Sequence, residues 1–387
     1  MNELLFRAST EVVVREDLEA KLKKGAKLRI KYGIDPTGDR IHLGHAATIR
    51  KLKHFQDAGH QVVLIVGSFT GQIGDASDKD SERTILTKEE VQANMANYET
   101  LLAKIFDIDS AEIHYNHEWF NDMSLDEWLR INQLFSLAQM IERDNFSKRF
   151  ERGDRIGLQE MQYPMLQGYD SVAVRADVEI GGNDQLFNLL AGRNIQKAYD
   201  QEPQNIISYE LLLADDGRKM SKSWANCIWI DDEPADMFGK VMSINDDLIM
   251  HYFKLVTEVS DDEMTKLEKD LKTNNPRDVK LRLAEEIVSI YHDETSAASA
   301  KEAWLSQFSD KKLPATIPDF VVDNQQQNLV DLIVAVELAD NKSEAKRLIE
   351  QGGVRINSHK VDSEMVNVND GDVLQVGKRK FVRIKTK

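Results

Sequence analysis

The chain has 387 residues, of which 41% are hydrophobic and 30% charged, and this composition predicts two or three globular domains and excludes a disordered or collagen-like protein. The formal net charge of −16 excludes general electrostatic attraction to nucleic acid, although it leaves room for a local basic face. One cysteine, Cys227, excludes a disulfide framework and a cysteine-rich metal site.

A strand, a helix and a second strand are predicted near the start of the sequence. Residues 28–34 favour a strand, and the turn residues 35–39 end it. Apolar residues recur at helical spacing over 44–58, and the continuous apolar run 61–67 is typical of a buried parallel strand. This order predicts a βαβ unit, in which ligands bind beyond the carboxyl ends of the strands.

The next part of the chain is predicted to be helical and then to return to the sheet. Capping-box patterns start helices at Thr87 and Ser124, and further strands are expected at 176–180 and 205–209. Residues 1–224 are therefore predicted to form a doubly wound parallel α/β domain, Rossmann-like, with a helical insertion over about 87–160.

Three further segments are expected after this domain. Residues 225–310 are predicted to form an all-α domain, and the proline-containing residues 311–327 are predicted to be a linker. Residues 328–387 are predicted to form a small α+β domain of two short helices followed by short strands. The last segment holds 11 lysines and arginines against 9 aspartates and glutamates, in contrast to the acidic chain as a whole. A weakly basic module favours contact with a polyanion.

The motif His42-Leu43-Gly44-His45 lies where the first predicted loop enters its helix. A helix start offers unpaired N–H groups to a phosphate, and two imidazoles one turn apart add hydrogen-bond donors. An H-x-G-H pattern occurs by chance about 0.01 times in a chain of this composition. Histidines without a role and histidines that bind a metal are the alternatives, but no third ligand lies nearby in the sequence.

A second motif is Lys219-Met220-Ser221-Lys222-Ser223, in a polar loop that follows Asp215-Asp216-Gly217-Arg218. Two lysines among small and polar residues suit a cation clamp for the charge on a departing pyrophosphate. A solvated surface loop is the alternative for this motif alone. Its position after the histidine motif in the same predicted domain favours the phosphate interpretation.

The two motifs together resemble the HIGH and KMSKS signatures of the class I aminoacyl-tRNA synthetases, with Leu43 in place of isoleucine. Further segments are similar to those of bacterial tyrosyl-tRNA synthetases: G-x-D-P-T at 33–37, T-G-x-x-G-D at 70–75, and the tyrosine-pocket segments at 163–170 and 181–185. Residues 342–349 and 352–357 resemble an S4 RNA-binding module. The resemblance covers nearly the whole chain.

The resemblance implies that the chain activates L-tyrosine with ATP and transfers the tyrosyl group to tRNA(Tyr). ATP would bring Mg²⁺ as a substrate complex, and neither a prosthetic group nor a metal-binding residue of the protein is expected. A homodimer is implied as well. The start of the sequence has no signal-peptide layout and no apolar run reaches the roughly 18–20 residues of a membrane span, so a cytoplasmic protein is expected.

The family's residue roles, carried over to this sequence, fall into four groups. The predicted tyrosine-binding residues are Asp75, Tyr163, Gln167, Asp170 and Gln185. The residues expected along ATP and the adenylate are Gly33, Asp35, Thr37, Thr48, Gly182 and Asp184. The catalytic residues expected to stabilise the phosphates are His42, His45, Lys79, Arg83, Lys219 and Lys222. The expected RNA-binding residues are Lys342, Lys346, Arg347 and Arg355. The sequence itself supports part of the first group, because spacings of four and three place Tyr163, Gln167 and Asp170 on one helix face.

This sequence departs from the best-known branch of the family at three positions. Lys31 and Tyr32 stand where that branch has a tyrosine and then a cysteine before the glycine of G-x-D-P-T, although another bacterial branch carries lysine there. Because side chains alternate along a strand, Tyr32 cannot replace a tyrosine one position earlier, and a second partner for the substrate phenol is not predicted. Ala225 replaces a glycine or polar residue after the lysine motif and is expected to stiffen that loop.

Three other functions fit parts of the sequence. A tryptophanyl-tRNA synthetase is the nearest related class, but Asp170 suits a hydroxyl donor and the tail resembles an S4 module. An inactive, synthetase-derived RNA-binding protein would not be expected to keep both histidines and both lysines. A generic nucleotidyltransferase leaves the lysine motif and the tail unexplained.

Overall fold

A computed structural model describes residues 2–75, 87–273, 275–308, 317–322, 324, 326–336, 338–339, 341–357, 359–361, 363, 365–377 and 380–386. The chain divides into two compact units, Met1–Lys301 and Glu302–Lys387. Among the helices within those ranges, none is both long and apolar enough to cross a membrane.

Six strands of the first unit form one sheet. In chain order they are β1 (Ser9–Val13), β2 (Arg29–Ile34), β3 (Gln61–Val66), β4 (Glu112–Tyr115), β5 (Val178–Gly182) and β6 (Asn205–Tyr209). Their order across the sheet is β1-β6-β5-β2-β3-β4, with β1 antiparallel to β6 and all other neighbours parallel. From β2 the chain continues to β3 and β4 on one side of the sheet, and it then returns to the other side of β2 at β5. A topological switch point therefore lies between β2 and β5.

The central strands of the sheet are largely buried, as expected where helices cover both faces. Every residue of β3 after Gln61 is buried, and all of β6 is buried. β3 pairs with β2 in continuous register, from Arg29 opposite Gln61 to Ile34 opposite Val66. The predicted doubly wound α/β domain is confirmed, although the edge strands β1 and β4 were not predicted.

The helices of the first unit surround this sheet and extend beyond it. They are α1 (Asn2–Phe6), α2 (Arg15–Lys23), α3 (Leu43–Asp57), α4 (Lys88–Leu102), α5 (His117–Phe120), α6 (Leu125–Asn132), α7 (Leu137–Ile141), α8 (Asp144–Arg152), α9 (Leu158–Ala173), α10 (Leu186–Ala198), α11 (Pro234–Ser243), α12 (Ile249–Val256), α13 (Asp261–Thr273), α14 (Pro276–Tyr291) and α15 (Glu294–Phe308), of which α15 continues into the second unit. Helix α12 contacts α3 of the sheet domain, and α11 packs against α14.

The helix starts follow the capping residues of the sequence. Thr87 and Glu90 form both bonds of a capping box at the start of α4, and the Ser124 hydroxyl accepts the Glu127 N–H at the start of α6. Asn275 caps α14, whose first residue is a proline. The two predicted helix starts, at Thr87 and Ser124, are confirmed.

A close approach of two helices fixes the position of α9. A Cβ atom on Gly168 of α9 would lie 3.0 Å from the backbone of α10 at Ala191 and Gly192, so only glycine allows this separation. Helix α9 carries Tyr163, Gln167 and Asp170, and its distance from α10 therefore helps to set where these side chains meet the sheet.

The second unit is a small α+β domain with a core of its own, formed by apolar residues between 320 and 384. Its elements are β7 (Asp319–Val322), β8 (Gln326–Asn328), α16 (Leu329–Ala335), α17 (Lys342–Glu350), β9 (Val354–Ile356), β10 (His359–Lys360), β11 (Met365–Asn367), β12 (Val373–Val376) and β13 (Lys380–Thr386). Five of these strands form a sheet in the order β10-β9-β12-β13-β7, and β8 pairs with β11.

The predicted pair of short helices is confirmed, and the chain after α17 turns at Gly352, whose φ is +70°. The range predicted as a linker, 311–327, contains structured chain, because β7 and the first residues of β8 fall within it. β7 joins the sheet by pairing with β13, a contact between distant parts of the sequence that local composition does not reveal. The predicted domain limits near 224 and 310 stay predictions.

Candidate active site

A cavity of about 200 Å³ lies at the carboxyl ends of β2, β3 and β5, beside the switch point. All of the residues predicted for tyrosine and for ATP line it, together with three of the predicted catalytic residues: Gly33, Asp35, Thr37, His42, His45, Thr48, Asp75, Tyr163, Gln167, Asp170, Gly182, Asp184, Gln185 and Lys219. The structure therefore brings together segments that lie far apart in the sequence.

The two histidines occupy the first turn of α3. His42 is the N-cap, and its Nδ1 accepts the backbone N–H of His45 at 3.3 Å. The two rings are stacked with centroids 4.0 Å apart. Burial lowers the pKa of His42 to about 2, and the neighbouring His45 and Lys219 add to this effect. His42 is therefore neutral, and because Nδ1 accepts, the ring proton is on Nε2.

Gly44 is required for this arrangement. A Cβ atom on Gly44 would lie 3.0 Å from Nδ1 of His42 and 3.4 Å from the Cβ of Met220. The first contact is tighter than nearly all real Cβ contacts, so a side chain here would push the ring of His42 aside. The glycine between the histidines thus leaves room for the ring of His42 at the start of α3.

The two lysines of the second motif reach different places. The Nζ of Lys219 lies on the cavity and forms an ion pair with Asp184 at 2.7 Å. Lys222 is exposed and does not line the cavity; its ammonium group lies over Gly38, in the loop between β2 and α3. Ala225, just after this turn, has a φ of +51°, a conformation that glycine adopts with less strain.

Asp170 is the buried acceptor at the inner end of the cavity, only 3% exposed. Its Oδ1 accepts the indole N–H of Trp119 at 3.0 Å. Burial raises the pKa of Asp170 to about 7, while Lys31 and the Trp119 hydrogen bond act in the opposite direction. A buried carboxylate with a neighbouring hydrogen-bond donor suits a ligand hydroxyl.

Two hydrogen-bonded groups connect the walls of the cavity. Asp35 accepts from the Tyr163 hydroxyl and from the Thr70 hydroxyl, each at 2.8 Å, which joins α9 to the loops after β2 and β3. Gln185 donates to Asp75 at 2.7 Å, linking the loop after β5 to the loop after β3. These contacts hold the carboxylates of Asp35 and Asp75 in fixed positions around the cavity.

The predicted helix face of α9 is confirmed. Tyr163, Gln167 and Asp170 all line the cavity, as their spacing requires. Asn188 of α10 donates to the side-chain oxygen of Gln167 at 3.0 Å, so this amide is held from the neighbouring helix.

The two unusual residues of β2 have different surroundings. Tyr32 lines the cavity, and burial raises the pKa of its hydroxyl. Lys31 does not line the cavity; it is fully buried in an ion pair with Glu179 of β5. The alternation along the strand is thus as expected, and the position of the family's tyrosine is taken by a lysine with a buried partner.

Four contacting residues were missed by the sequence analysis. Trp119 and Asn116 donate hydrogen bonds to Asp170. Asn116 also donates to Thr70, whose hydroxyl donates to Asp35. Glu179 pairs with Lys31. Asn116 and Trp119 follow β4, a short strand of mixed composition that was not predicted, so no pattern pointed to them. Glu179 was visible only as an acidic residue within a predicted strand, which is unusual for a buried position and is a signal in itself.

Some predicted residues lie outside the cavity or outside the described ranges. Lys79 and Arg83 fall in 76–86, which the structure does not describe. Lys342, Lys346 and Arg347 are exposed on α17, and Arg355 is exposed on β9. Lys342 forms an ion pair with Asp331 at 2.8 Å.

Within the described part of the chain, no group of three or more histidine, cysteine, aspartate and glutamate side chains is placed to hold a metal ion. The chemistry available in the cavity is therefore hydrogen-bond donation from imidazoles, one ammonium group and backbone N–H groups at a helix start, beside a buried carboxylate. Such a set stabilises phosphate charge on one side and selects a polar group on the other.

Comparison with known proteins identifies the class. A family model described as "tRNA synthetases class I (W and Y)" matches residues 23–309, which contain five of the six strands of the sheet, both motifs and the cavity. The chain therefore belongs to the class I aminoacyl-tRNA synthetases and has their fold. A second model, "Tyrosine--tRNA ligase SYY-like C-terminal domain", matches residues 310–384.

Curated relatives make the assignment narrower. The tyrosine–tRNA ligase of Thermotoga maritima is 45% identical over 386 residues, covering 98% of this chain and 96% of that protein. That of Dehalococcoides mccartyi strain CBDB1 is 42% identical over 385 residues, covering 98% and 97%. The chain belongs to the tyrosine–tRNA ligases, a family of aminoacyl-tRNA synthetases.

Solved structures agree in fold. A C-terminally truncated mitochondrial tyrosyl-tRNA synthetase of Coccidioides posadasii superposes with a TM-score of 0.62 at 23% identity, covering 78% of this chain and 91% of that one. The enzyme of Archaeoglobus fulgidus, crystallised with L-tyrosine, gives 0.60 at 22% identity, with 77% and 98% covered. The expected family and fold class are thus confirmed.

Proposed function

We propose that this chain activates L-tyrosine with ATP to form tyrosyl-adenylate and pyrophosphate, and then transfers the tyrosyl group to the 3′ end of tRNA(Tyr). The observation that carries the proposal is that a buried carboxylate, Asp170, and the donors His42, His45 and Lys219 line one cavity. Membership of the tyrosine–tRNA ligases supports the same reaction. We place it in the cytoplasm.

The inner end of the cavity selects tyrosine. The phenol hydroxyl donates to Asp170, which also accepts from the indole N–H of Trp119. Phenylalanine would remove the hydrogen bond of the phenol from a buried carboxylate without replacing it, and discrimination between the two substrates follows from that cost. Sites of this kind reach about 10⁵ in favour of tyrosine, a magnitude known for tyrosyl-tRNA synthetases.

The main-chain groups of the substrate bind nearer the cavity mouth. Asp75, Tyr163 and Gln167 hold the ammonium group, and Gln185 orients the carboxylate. The hydrogen bond from Gln185 to Asp75 supports this division, because it places a donor and an acceptor side by side at 2.7 Å.

The opposite wall holds ATP. The expected residues along the adenylate and its ribose are Gly33, Asp35, Gly182 and Asp184, with Thr37 and Thr48 toward the phosphates. Asp184 pairs with Lys219 in the structure. When a ribose hydroxyl donates to Asp184, the ammonium group of Lys219 becomes available to the phosphates.

Activation needs little acid–base chemistry, since the tyrosine carboxylate is already a nucleophile. It attacks the α-phosphorus, and negative charge develops on the leaving pyrophosphate. The Nε2–H of neutral His42, His45, the start of α3 and Lys219 stabilise that charge, and Lys222 joins them from the loop edge. Mg²⁺ arrives with ATP, held mainly by phosphate oxygens and water, as is usual for this ion.

Two further proposals concern assembly. The basic residues of the second unit, Lys342, Lys346, Arg347 and Arg355, contact the tRNA. Large apolar side chains on and beside α6, α7 and α8 are more than half exposed and form the contact of a symmetric homodimer: Leu125, Leu129, Leu137, Phe150 and Leu158. Light scattering of the purified protein at micromolar concentration tests this, and a monomer would contradict it.

Tyrosine-dependent ATP–pyrophosphate exchange tests the central proposal. We expect exchange with tyrosine, none above background with phenylalanine or tryptophan, and subsequent charging of tRNA(Tyr). Exchange driven by tryptophan would overturn the assignment of the pocket. A folded protein that binds tRNA without exchange would support the inactive RNA-binding alternative instead.

A further inference from the structure

Lys31 and Glu179 form an ion pair in the centre of the sheet. They are register partners on the adjacent strands β2 and β5, and the Nζ of Lys31 lies 2.9 Å from Oε1 of Glu179. Both side chains are 0% exposed. Taking two charges out of water is costly, and replacement by apolar residues is often neutral or stabilising, so stability alone is a weak reason for such a pair.

Every donor of the lysine has an acceptor. Besides Glu179, the ammonium group of Lys31 donates to the backbone oxygen of Gln167 and to the hydroxyl of Ser171, each at 2.8 Å. Three acceptors thus match the three protons of the ammonium group.

The glutamate makes a complementary set of bonds. Glu179 accepts from Ser171 at 3.1 Å, from the amide of Gln167 at 3.4 Å and from the amide of Gln204. The pair is therefore a fully hydrogen-bonded group rather than two charges in apolar surroundings.

The ion pair holds the turn of α9 that carries the substrate-contacting residues. Gln167 and Ser171 lie on either side of Asp170 in the sequence, and both bond to Lys31 and Glu179. On the other side of the helix, Gly168 lies against α10. This turn is thus fixed between α10 and the two central strands.

We propose that Lys31 and Glu179 are positioning residues for tyrosine selection, which hold Gln167 and Asp170 of α9 at the geometry that the substrate requires. The inference rests on the proposed function and adds to it a pair of residues that does not line the cavity. A small displacement of such groups reduces catalysis strongly, because binding energy depends on hydrogen-bond geometry.

The pair also acts on the charge of Asp170. The groups that face this carboxyl are Lys31 from β2, Glu179 from β5, and the uncharged donors Trp119 and Asn116 from the segment after β4. Lys31 lowers the pKa of Asp170 and Glu179 raises it. The two single substitutions should therefore move the titration of Asp170 in opposite directions, which a general loosening of the packing cannot do.

The test uses the full chain with Lys31→Met, Glu179→Gln and the double variant that removes both charges. Tyrosine binding is measured by calorimetry, and KM for tyrosine and for ATP by pyrophosphate exchange between pH 6 and 9. We expect the tyrosine Kd and KM to rise by about 10-fold or more, with the ATP KM within about twofold. The midpoint of the pH profile for tyrosine should rise with Lys31→Met and fall with Glu179→Gln.

A second buried ion pair provides the matched control. Arg149 and Glu160 are nearly as buried, lie 2.7 Å apart and also involve α9, but the bonds described for them do not reach Gln167 or Asp170. Arg149→Met with Glu160→Gln should lower the melting temperature without a selective rise in the tyrosine KM.

The inference would be overturned if the KM for tyrosine and the KM for ATP changed equally, or if the control variant showed the same selective rise in the tyrosine KM. It would also be overturned if the midpoints of the pH profiles of the two single variants moved in the same direction. If Lys31→Met does not fold, Glu179→Gln and the double variant decide it by the same criteria. Failure of the proposed function is distinguishable, because the unsubstituted protein would then neither bind tyrosine nor catalyse the exchange.

Discussion

Burial of the Asp170 carboxyl carries a cost in stability that depends on pH. The carboxyl is buried, which raises its pKa to about 7 from an ordinary value near 3.8. A carboxyl with a raised pKa in the folded state makes folding less favourable as the pH rises from about 4 through 7, because the unfolded chain loses the proton first. Above pH 7 this cost is present in full, and Asp170 is then in the ionised form that the proposed hydrogen bond from a phenol requires.

Substitution of Asp170 by asparagine should therefore separate stability from specificity. The amide oxygen can still accept from Trp119, while the buried charge is removed. We expect the melting temperature at pH 8 to rise relative to the unsubstituted protein and the two to converge near pH 4. Thermal unfolding across this pH range measures the effect, and equal pH dependence in both proteins would contradict it.

The same variant should lose selection of tyrosine over phenylalanine by about 100-fold or more, since a neutral acceptor is weaker and is desolvated at less cost. Competitive pyrophosphate exchange measures the ratio of kcat/KM for the two amino acids. Binding of ATP provides the internal control and should change little. An unchanged ratio would mean that Asp170 does not contact the phenol.

At the scale of the elements, the loops after β2 and β3 approach each other closely at Gly67. A Cβ atom on Gly67 would overlap Oδ1 of Asp35 and would lie 2.5 Å from the hydroxyl of Thr70. Asp35 cannot move away easily, because Tyr163 also donates to it. Glycine at the end of β3 is therefore a condition for the position of the Asp35 carboxylate.

Gly67→Ala should disrupt the ATP side of the cavity while the buried strand β3 keeps its pairing. We expect kcat/KM for ATP to fall by about 100-fold, the loss typical of a misplacement near 1 Å. Exchange kinetics with varied ATP measure the effect, and circular dichroism confirms the fold. Gly239→Ala on α11 is the matched control, since its Cβ would meet open space. Equal activities of the two variants would refute this account.

The elements also show what a sequence can and cannot reveal. Strands β2 and β3, helix α3 and the face of α9 could be predicted because their hydrophobic patterns are local and regular. The β4 strand and Trp119 beyond it could not, since four residues of mixed polarity are defined only by pairing with β3. Glu179 stood out as an acidic residue in a predicted strand, but its pairing with Lys31 could not be predicted, because the pairing depends on the position of β5 beside β2.

At the scale of the whole molecule, the chain has two compact units, and we propose a different function for each of them. The catalytic cavity lies entirely in Met1–Lys301, and the exposed basic residues proposed to contact RNA lie in Glu302–Lys387. On an acidic chain, a few exposed cations can attract a phosphate backbone locally, and such attraction depends strongly on salt. Tyrosine-dependent pyrophosphate exchange and tRNA binding should thus respond to different substitutions.

Reversing two charges on α17 tests this division in the full chain. Lys346→Glu with Arg347→Glu should leave tyrosine-dependent pyrophosphate exchange within about twofold and raise the KM for tRNA by about 10-fold at roughly 0.15 M salt. The slope of log affinity against log salt should become less steep by about one for each phosphate that the variant no longer neutralises. Lys24→Glu with Lys27→Glu, also exposed but in the first unit, is the matched control. If both double variants impair tRNA charging equally, the net charge of the chain rather than the surface of α17 governs tRNA binding. If neither variant impairs charging, the second unit does not bind the tRNA through α17.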